Sequence, residues 1–361
     1  MNFKQRLVAI PYLLFTIVCF TGYAQQTRLI RHSDKHLQYM GRIKMNADNA
    51  ELYYSGSSVK ISFTGSSVKA VLKDEKANNF YQVIVDGKGI RKIKPDTNKT
   101  TYTLVDNLPR GKHTIELAKI TEYDRGKTLF YDFQIDGSKI YKLKKPDRRM
   151  EFYGNSITCG FGVEDSVTDS GASLYENNFL SYASLTARHY SAQYNCICKS
   201  GMGFMVSFSR WTMPEIYNRL NPADSLSEWN FSKYKPHVVV VDLGENDAAV
   251  VTRLDNPQFI RLFGKTPPTK EFIINAYTQF IQTLRSKYPD AYIICALGSM
   301  GVVKEGSLWP GYISTAVLKM NDKKIVSFLF KYKGSAGHPK IKDHKIMAND
   351  LTAFIDKTVK W

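Results

Sequence analysis

MEFYGNSITCGFGVED, residues 150–165, runs from a short apolar stretch through Gly154-Asn155-Ser156 into a small-residue turn. Its reading decides the fold. If Met150–Tyr153 is a buried strand, Ser156 stands on a strand-to-helix turn at the edge of a parallel sheet, where a hydroxyl is exposed and backbone N–H groups converge. If the stretch is a surface loop, Ser156 is one polar residue among many. The sequence beyond it favours the first reading. VVVVDLG (238–244), YIICAL (292–297) and IVSFLF (325–330) are further apolar runs of strand length. Between them, EFIINAYTQFIQTLRSKY places Phe272, Ala276, Phe280 and Leu284 at helical spacing, and the segment after Pro339 does the same with Met347, Leu351 and Phe354. Apolar strands alternating with amphipathic helices imply an α/β domain with a mostly parallel sheet, whose ligands sit at the carboxyl ends of the strands.

Upstream the period changes to two. In VKISFTGSSVKAVLKD, Val59, Ile61 and Phe63 share one face, and Val68, Ala70 and Leu72 resume the alternation after Thr64–Ser67, which predicts a hairpin. YQVIVDGKGI carries an Asp86-Gly87 turn, GKHTIELAKI follows a Leu108-Pro109 break, and LFYDFQIDGSKI ends in a second Asp-Gly. Short strands with regularly spaced turns predict a β-sandwich of jelly-roll type. It is read either as a sugar-binding module or as a packing partner for the second half.

The expected organisation is therefore a leader over residues 1–24, a β-sandwich over 25–143, a KKPDRR linker at 144–149 and an α/β domain over 150–361. The leader follows from Lys4 and Arg6 ahead of the apolar run Leu7–Phe20, which ends in small residues. That run is too short for a comfortable span of about 20 residues. No other run approaches spanning length, so an exported protein without a membrane span is expected, periplasmic or secreted. The residues before Cys19 are not the small ones a lipoprotein signal needs.

The formal net charge is +17, and losing Lys4 and Arg6 with the leader leaves +15. Such a surplus attracts polyanions, yet its densest runs, RKIKP (91–95) and KLKKPDRR (142–149), read as solvated strand edge and linker, and no nucleic-acid motif accompanies them. Cys159, Cys196, Cys198 and Cys295 remain after the leader, without CxxC spacing or a histidine cluster, which argues against a structural metal site. Buried free thiols are expected, with a disulfide as the alternative. Nothing in the sequence specifies an oligomeric state.

Four segments carry chemistry. Ser156 follows the first strand. Gly201 in CKSGMGF can bring a backbone N–H close to a substrate. Asn246 in VVVVDLGENDAAV can aim an amide at developing negative charge, although Asn-Asp pairs also make ordinary turns. His338 precedes Pro339 at the start of the last helix. In this order the four resemble the serine, glycine, asparagine and histidine blocks of the SGNH (GDSL-like) hydrolase superfamily. With a sandwich ahead, and with EFYGNSITCGFGVED, WNFSKYKPHVVVVDLGEND, LRSKYPDAYIICALGSM and GHPK, the chain resembles carbohydrate esterase family 2 over nearly its whole mature length.

That resemblance implies an exported, metal- and cofactor-independent acetyl esterase that removes O-acetyl groups from polysaccharides such as xylan and glucomannan. It makes Ser156 the nucleophile and His338 the general base. The oxyanion hole becomes the Ser156 and Gly201 N–H groups with the Asn246 side chain. Two positions depart from the pattern. Asn155 replaces the usual aspartate before the serine, with little effect expected. Ser335 and Ala336 stand where an aspartate usually precedes the histidine, so a Ser-His dyad is expected, with a backbone carbonyl or another side chain orienting the imidazole. Asp343 and Asp350 on the last helix read as solvated. Trp309 in SLWPGY either stacks on a sugar or packs a loop. The alternatives are an SGNH esterase for another, acidic, acylated glycan, and a non-catalytic glycan-binding protein.

Overall fold

The computed structural model describes residues 27–361; the expected leader lies outside the described residues. Two antiparallel sheets come first. One runs Ile43–Met45, Ala50–Leu52, Thr128–Ile135, Val68–Asp74, Thr100–Val105, with Arg28–Arg31 also on Thr128–Ile135. The other runs Lys139–Tyr141, Ser58–Thr64, Lys112–Lys119, Tyr81–Val85, Lys88–Ile93, with Gln38–Met40 on Ser58–Thr64. Their inward residues, among them Val59, Phe63, Leu72, Val83, Leu117, Phe130 and Phe133, form one core. This is the jelly-roll sandwich that the alternation implies.

One expectation fails inside it. Ser58–Thr64 and Val68–Asp74 do not pair as a hairpin; they lie in opposite sheets, and Thr64–Ser67 is a corner across the sandwich. Both strands still aim Val59, Ile61, Phe63 and Val68, Ala70, Leu72 into the same core, so alternation is identical in either arrangement. The second Asp-Gly also crosses between sheets. Asp86-Gly87 does close a hairpin, between Tyr81–Val85 and Lys88–Ile93, with both turn residues at positive φ.

The basic run 142–149 leads into a five-stranded parallel sheet ordered Gln193–Cys198, Arg149–Gly154, Val238–Asp242, Tyr292–Leu297, Ile325–Leu329. Its strands Val238–Asp242 and Tyr292–Leu297 are near-continuously apolar because both faces are covered. Tyr153, Val239, Val241, Ile293 and Cys295 pack towards helices Lys270–Lys287 and Trp309–Met320. Phe152, Val238, Val240, Ile294 and Ala296 pack towards Tyr182–His189 and Ile341–Thr358. Helix Lys270–Lys287 is where sequence placed it, but its buried stripe is Ile273, Tyr277, Phe280 and Leu284, while Phe272 is 50% exposed and meets Phe263 edge-on. Among the described residues no helix is long and apolar enough to cross a membrane. All four cysteines there are buried free thiols.

Strand order reverses beside Arg149–Gly154, since the chain goes first to Gln193–Cys198 on one side and then to Val238–Asp242 on the other. The crevice at such a switch point is where doubly wound sheets bind ligands.

Candidate active site

Gly154 pairs in register with Cys198 on one flank and Asp242 on the other. Ser156, the Ser200-Gly201 turn and Asn246 therefore emerge side by side at one end of the sheet. Gly154 is required by close packing, because a Cβ there would lie 2.0 Å from Thr158 Oγ1. Asn155 then caps the one-turn helix Ser156–Cys159, its side chain accepting a hydrogen bond from Ile157 N at 2.9 Å. Aspartate would cap in the same way, which explains why asparagine serves at this position. Ser156 is 6% exposed and sits at the first turn of the helix.

His338 arrives from the loop before the last helix. Its Nε2 is 2.9 Å from Ser156 Oγ, and its ring lies 4.6 Å from that of Phe161. The imidazole is not left to a backbone carbonyl. Asp169, from the loop that follows the serine helix, places Oδ2 2.6 Å from His338 Nδ1, and the same oxygen accepts the His338 backbone N–H at 3.0 Å. Its other oxygen is 2.9 Å from Lys340 Nζ, which also donates to Gly162 O. Burial alone would raise the Asp169 pKa, but the hydrogen bonds from Lys340 and His338 hold it below the usual carboxylate value.

Of the two ways left open for orienting the imidazole, a backbone carbonyl or another side chain, the structure has the second, with Asp169 on His338 Nδ1 and Ser156 on Nε2. The acid comes from upstream of the histidine, and the positions where it was sought are otherwise engaged: Lys333 Nζ donates to Ser335 Oγ and Ala336 O. Asp343 accepts Lys340 N at the head of the last helix. The one sequence hint of Asp169 was a polar, acidic stretch, VEDSVTDSG, directly after the serine block.

Gly201 has φ +77°, a conformation that glycine adopts freely, and it carries no side chain into the crevice. Asn246 donates from Nδ2 to Met202 O at 2.9 Å. An amide has two N–H donors, so this bond fixes the plane and leaves the second for another acceptor. The neighbouring Asp247 accepts the N–H groups of Phe204, Met205 and Val206 at 2.8–3.1 Å, and burial pushes its pKa up to about 6 in spite of those bonds. The Asn-Asp pair is therefore more than a turn, because it ties the glycine segment to the third strand. Trp309 is half-buried at the start of its helix, edge-on to Phe204 and Tyr312 and beside Gly244. It packs against the core on that side of the sheet.

Residues 39–143 match the carbohydrate esterase 2 N-terminal family, and residues 152–327 match the GDSL-like lipase/acylhydrolase family. Cellulase/esterase CelE of Acetivibrio thermocellus is 33% identical over 337 residues, covering 90% of this chain and 39% of that protein. An acetylxylan esterase/glucomannan deacetylase of Cellvibrio japonicus is 24% identical, covering 97% and 99%. Among solved structures, a family two carbohydrate esterase from Clostridium thermocellum in complex with cellohexaose is 32% identical with a TM-score of 0.79, covering 89% of this chain and 98% of that one. A second, from Cellvibrio japonicus, has the same fold at a TM-score of 0.81 and 24% identity, covering 92% and 98%. With its sandwich, its five-stranded parallel sheet and a serine and histidine in hydrogen-bond contact at the switch point, the chain belongs to carbohydrate esterase family 2.

Proposed function

We propose that this protein is an exported carbohydrate O-acetyl esterase acting on acetylated polysaccharide of the xylan or glucomannan type, with Ser156 as nucleophile. The observation that carries the reading is the continuous relay from Ser156 Oγ through His338 to Asp169, with contacts of 2.9 and 2.6 Å.

In this reading His338 Nε2 takes the Ser156 proton as Oγ attacks the acetyl carbonyl. The ionised Asp169 keeps the Nδ1 proton in place and stabilises the imidazolium that forms. Negative charge develops on the carbonyl oxygen, where the N–H groups of Ser156 and Gly201 and the second amide N–H of Asn246 are its donors. The tetrahedral adduct collapses as His338 returns the proton to the departing sugar hydroxyl. Water, deprotonated by His338, then attacks the acetyl-serine ester, and acetate leaves with Ser156 restored.

The test is acetate release from 4-nitrophenyl acetate and from acetylated xylan and glucomannan, comparing the mature protein with Ser156→Ala and His338→Ala. Loss of nearly all rate in both variants supports the reading. Equal inertness of three folded preparations overturns it and leaves glycan binding. The cellohexaose complex of the Clostridium thermocellum relative favours including cellohexaose as a competitor in the same assay.

A further inference from the structure

Segment Glu122–Arg125 leaves the sandwich strand Lys112–Lys119 and lies against the turn that holds Gly201. Glu122 is 1% exposed, and both its oxygens are spent on one residue of the other domain: Oε2 accepts Ser200 N at 2.7 Å, and Oε1 accepts the Ser200 hydroxyl. Its own backbone is held in turn. The N–H donates to Glu176 Oε2 at 3.0 Å, and the carbonyl accepts Lys119 Nζ at 2.8 Å. The flanks are tied as well, Lys199 to Asp124 at 3.3 Å and Arg125 to Glu176.

Burial, with Glu176 and Asp124 nearby, pushes the Glu122 pKa up to about 7, so this carboxyl is kept against an electrostatic cost. An interface that needed only packing would place an apolar residue here at less expense. What the carboxylate fixes is Ser200, through both its backbone and its side chain. The next N–H in the chain is that of Gly201, at φ +77°, and glycine has no side chain of its own with which to hold that orientation. We propose that Glu122, a sandwich residue, is a positioning residue for ester hydrolysis, holding Ser200 so that the Gly201 N–H is aimed at the oxyanion. This inference rests on the esterase reading above. It gives the sandwich a part in the chemistry of the second domain that requires no sugar bound to the sandwich itself.

The experiment measures kcat and KM on 4-nitrophenyl acetate for the mature wild type, Ser156→Ala, Glu122→Ala, Glu122→Gln, Ser200→Ala and the Glu122→Ala/Ser200→Ala double variant, with a thermal melt of each. Because the oxyanion exists only beyond the ground state, Glu122→Ala should lower kcat about 10- to 100-fold and leave KM within about twofold. Glu122→Gln can accept the Ser200 N–H and donate to its hydroxyl, so it should stay within about fivefold of wild type. Ser200→Ala keeps the backbone bond and should lose about 3- to 10-fold, and the double variant should be no worse than Glu122→Ala alone. If Glu122→Ala does not fold, Ser200→Ala and Glu122→Gln decide, and a Ser200→Ala enzyme with wild-type kcat overturns the proposal. So does full kcat in a folded Glu122→Ala, a loss confined to KM, or a loss that follows the melting temperature across the series. A wild type that is inert overturns the esterase reading and this inference with it. An active wild type, a dead Ser156→Ala and an undiminished Glu122→Ala overturn only the inference.

Discussion

Asp169 Oδ2 lies 2.6 Å from His338 Nδ1 although 169 residues separate them in the chain, and the same oxygen also accepts the His338 backbone N–H. The carboxylate thus sets both the ring and the main chain of the histidine. Asp169 itself has φ +60°, which aspartate tolerates better than most residues, and Lys340 anchors its second oxygen.

Asp169→Asn tests the role of that charge. Asparagine keeps the size but presents either a neutral oxygen or an N–H to His338 Nδ1, and no longer stabilises an imidazolium. Because the Asp169 side chain is 23% exposed, solvent tempers the effect, and the expected loss in kcat on an activated acetyl ester is about 10²- to 10³-fold, short of that at fully buried triads. Lys340→Met should cost less, about 3- to 10-fold, because it frees one carboxylate oxygen without removing the charge. A variant Asp169→Asn within threefold of wild type would show that Phe161 packing and the backbone suffice to orient the ring.

Asn246 gives a second, independent measurement. Its amide is fixed by Met202 O, which leaves one N–H donor for another acceptor, the oxyanion in the proposed mechanism. Asn246→Ala should lower kcat about 10²- to 10³-fold, as expected for one lost side-chain donor. Asn246→Asp should be worse, since it sets a carboxylate against Met202 O and against the developing charge. Steady-state kinetics with a short acetyl ester check both, and a loss confined to KM would sink the assignment.

The strands flanking the site were legible because both faces of a parallel sheet demand continuous apolar runs, and VVVVD and YIICAL supply them. Ser156, Gly201 and Asn246 could then be placed just past strand ends. Asp169 could not, since a single acid in a polar loop has no periodicity and its partner is reached only by folding. The corner at Thr64–Ser67 escaped for a related reason: alternation tells which side of a strand meets the core but not which sheet it joins. Helix Lys270–Lys287 shows the same limit, because a row of residues four apart drifts about 40° around the helix per step, so Phe272 fits the pattern and still faces outward.

One acid-sensitive contribution to stability should come from His344, fully buried behind the site, where Nδ1 accepts Tyr182 N at 3.1 Å. Burial, with the neighbouring His338 and Lys340, lowers its pKa to about 3, against an ordinary value of 6.5. Between those values the unfolded chain binds the proton and the folded chain does not, so the contribution is fully present above about pH 6.5 and is lost as pH falls towards 3. By pH 5 about 2 kcal/mol of it is lost. Asp242 and Asp247, raised to about 6 by burial, and Glu122 and Glu245, raised to about 7 and about 8, act with the opposite sign and together outweigh it, so the wild-type slope alone does not report His344. Comparison with His344→Gln isolates the histidine. Denaturant unfolding at pH 7 and pH 5 should show the change in wild-type stability to be about 2 kcal/mol less favourable than the variant's, and equal changes would exclude His344 as a source.

The join between the domains rests on another buried charge. Arg42, from the sandwich, donates to Glu151 Oε1 at 2.8 Å, to Tyr153 Oη at 3.1 Å, and to the carbonyls of Tyr217 and Arg219 at 2.6 and 3.0 Å, with both charged side chains fully buried. Glu151 lies in the first parallel strand, five residues before Ser156, and also accepts from Tyr288. Arg42→Met leaves that carboxylate buried without its cation and two carbonyls without donors, so it should cost about 3–5 kcal/mol in denaturant unfolding. Adding Glu151→Gln removes the stranded charge and should recover part of the loss, because the two positions are in contact and their effects are coupled. If Arg42→Met costs less than about 1 kcal/mol, the ion pair does not hold the domains together. The cation-π contacts of Arg42 with Trp229 and Phe231, and the apolar packing around them, would then be the features to remove next.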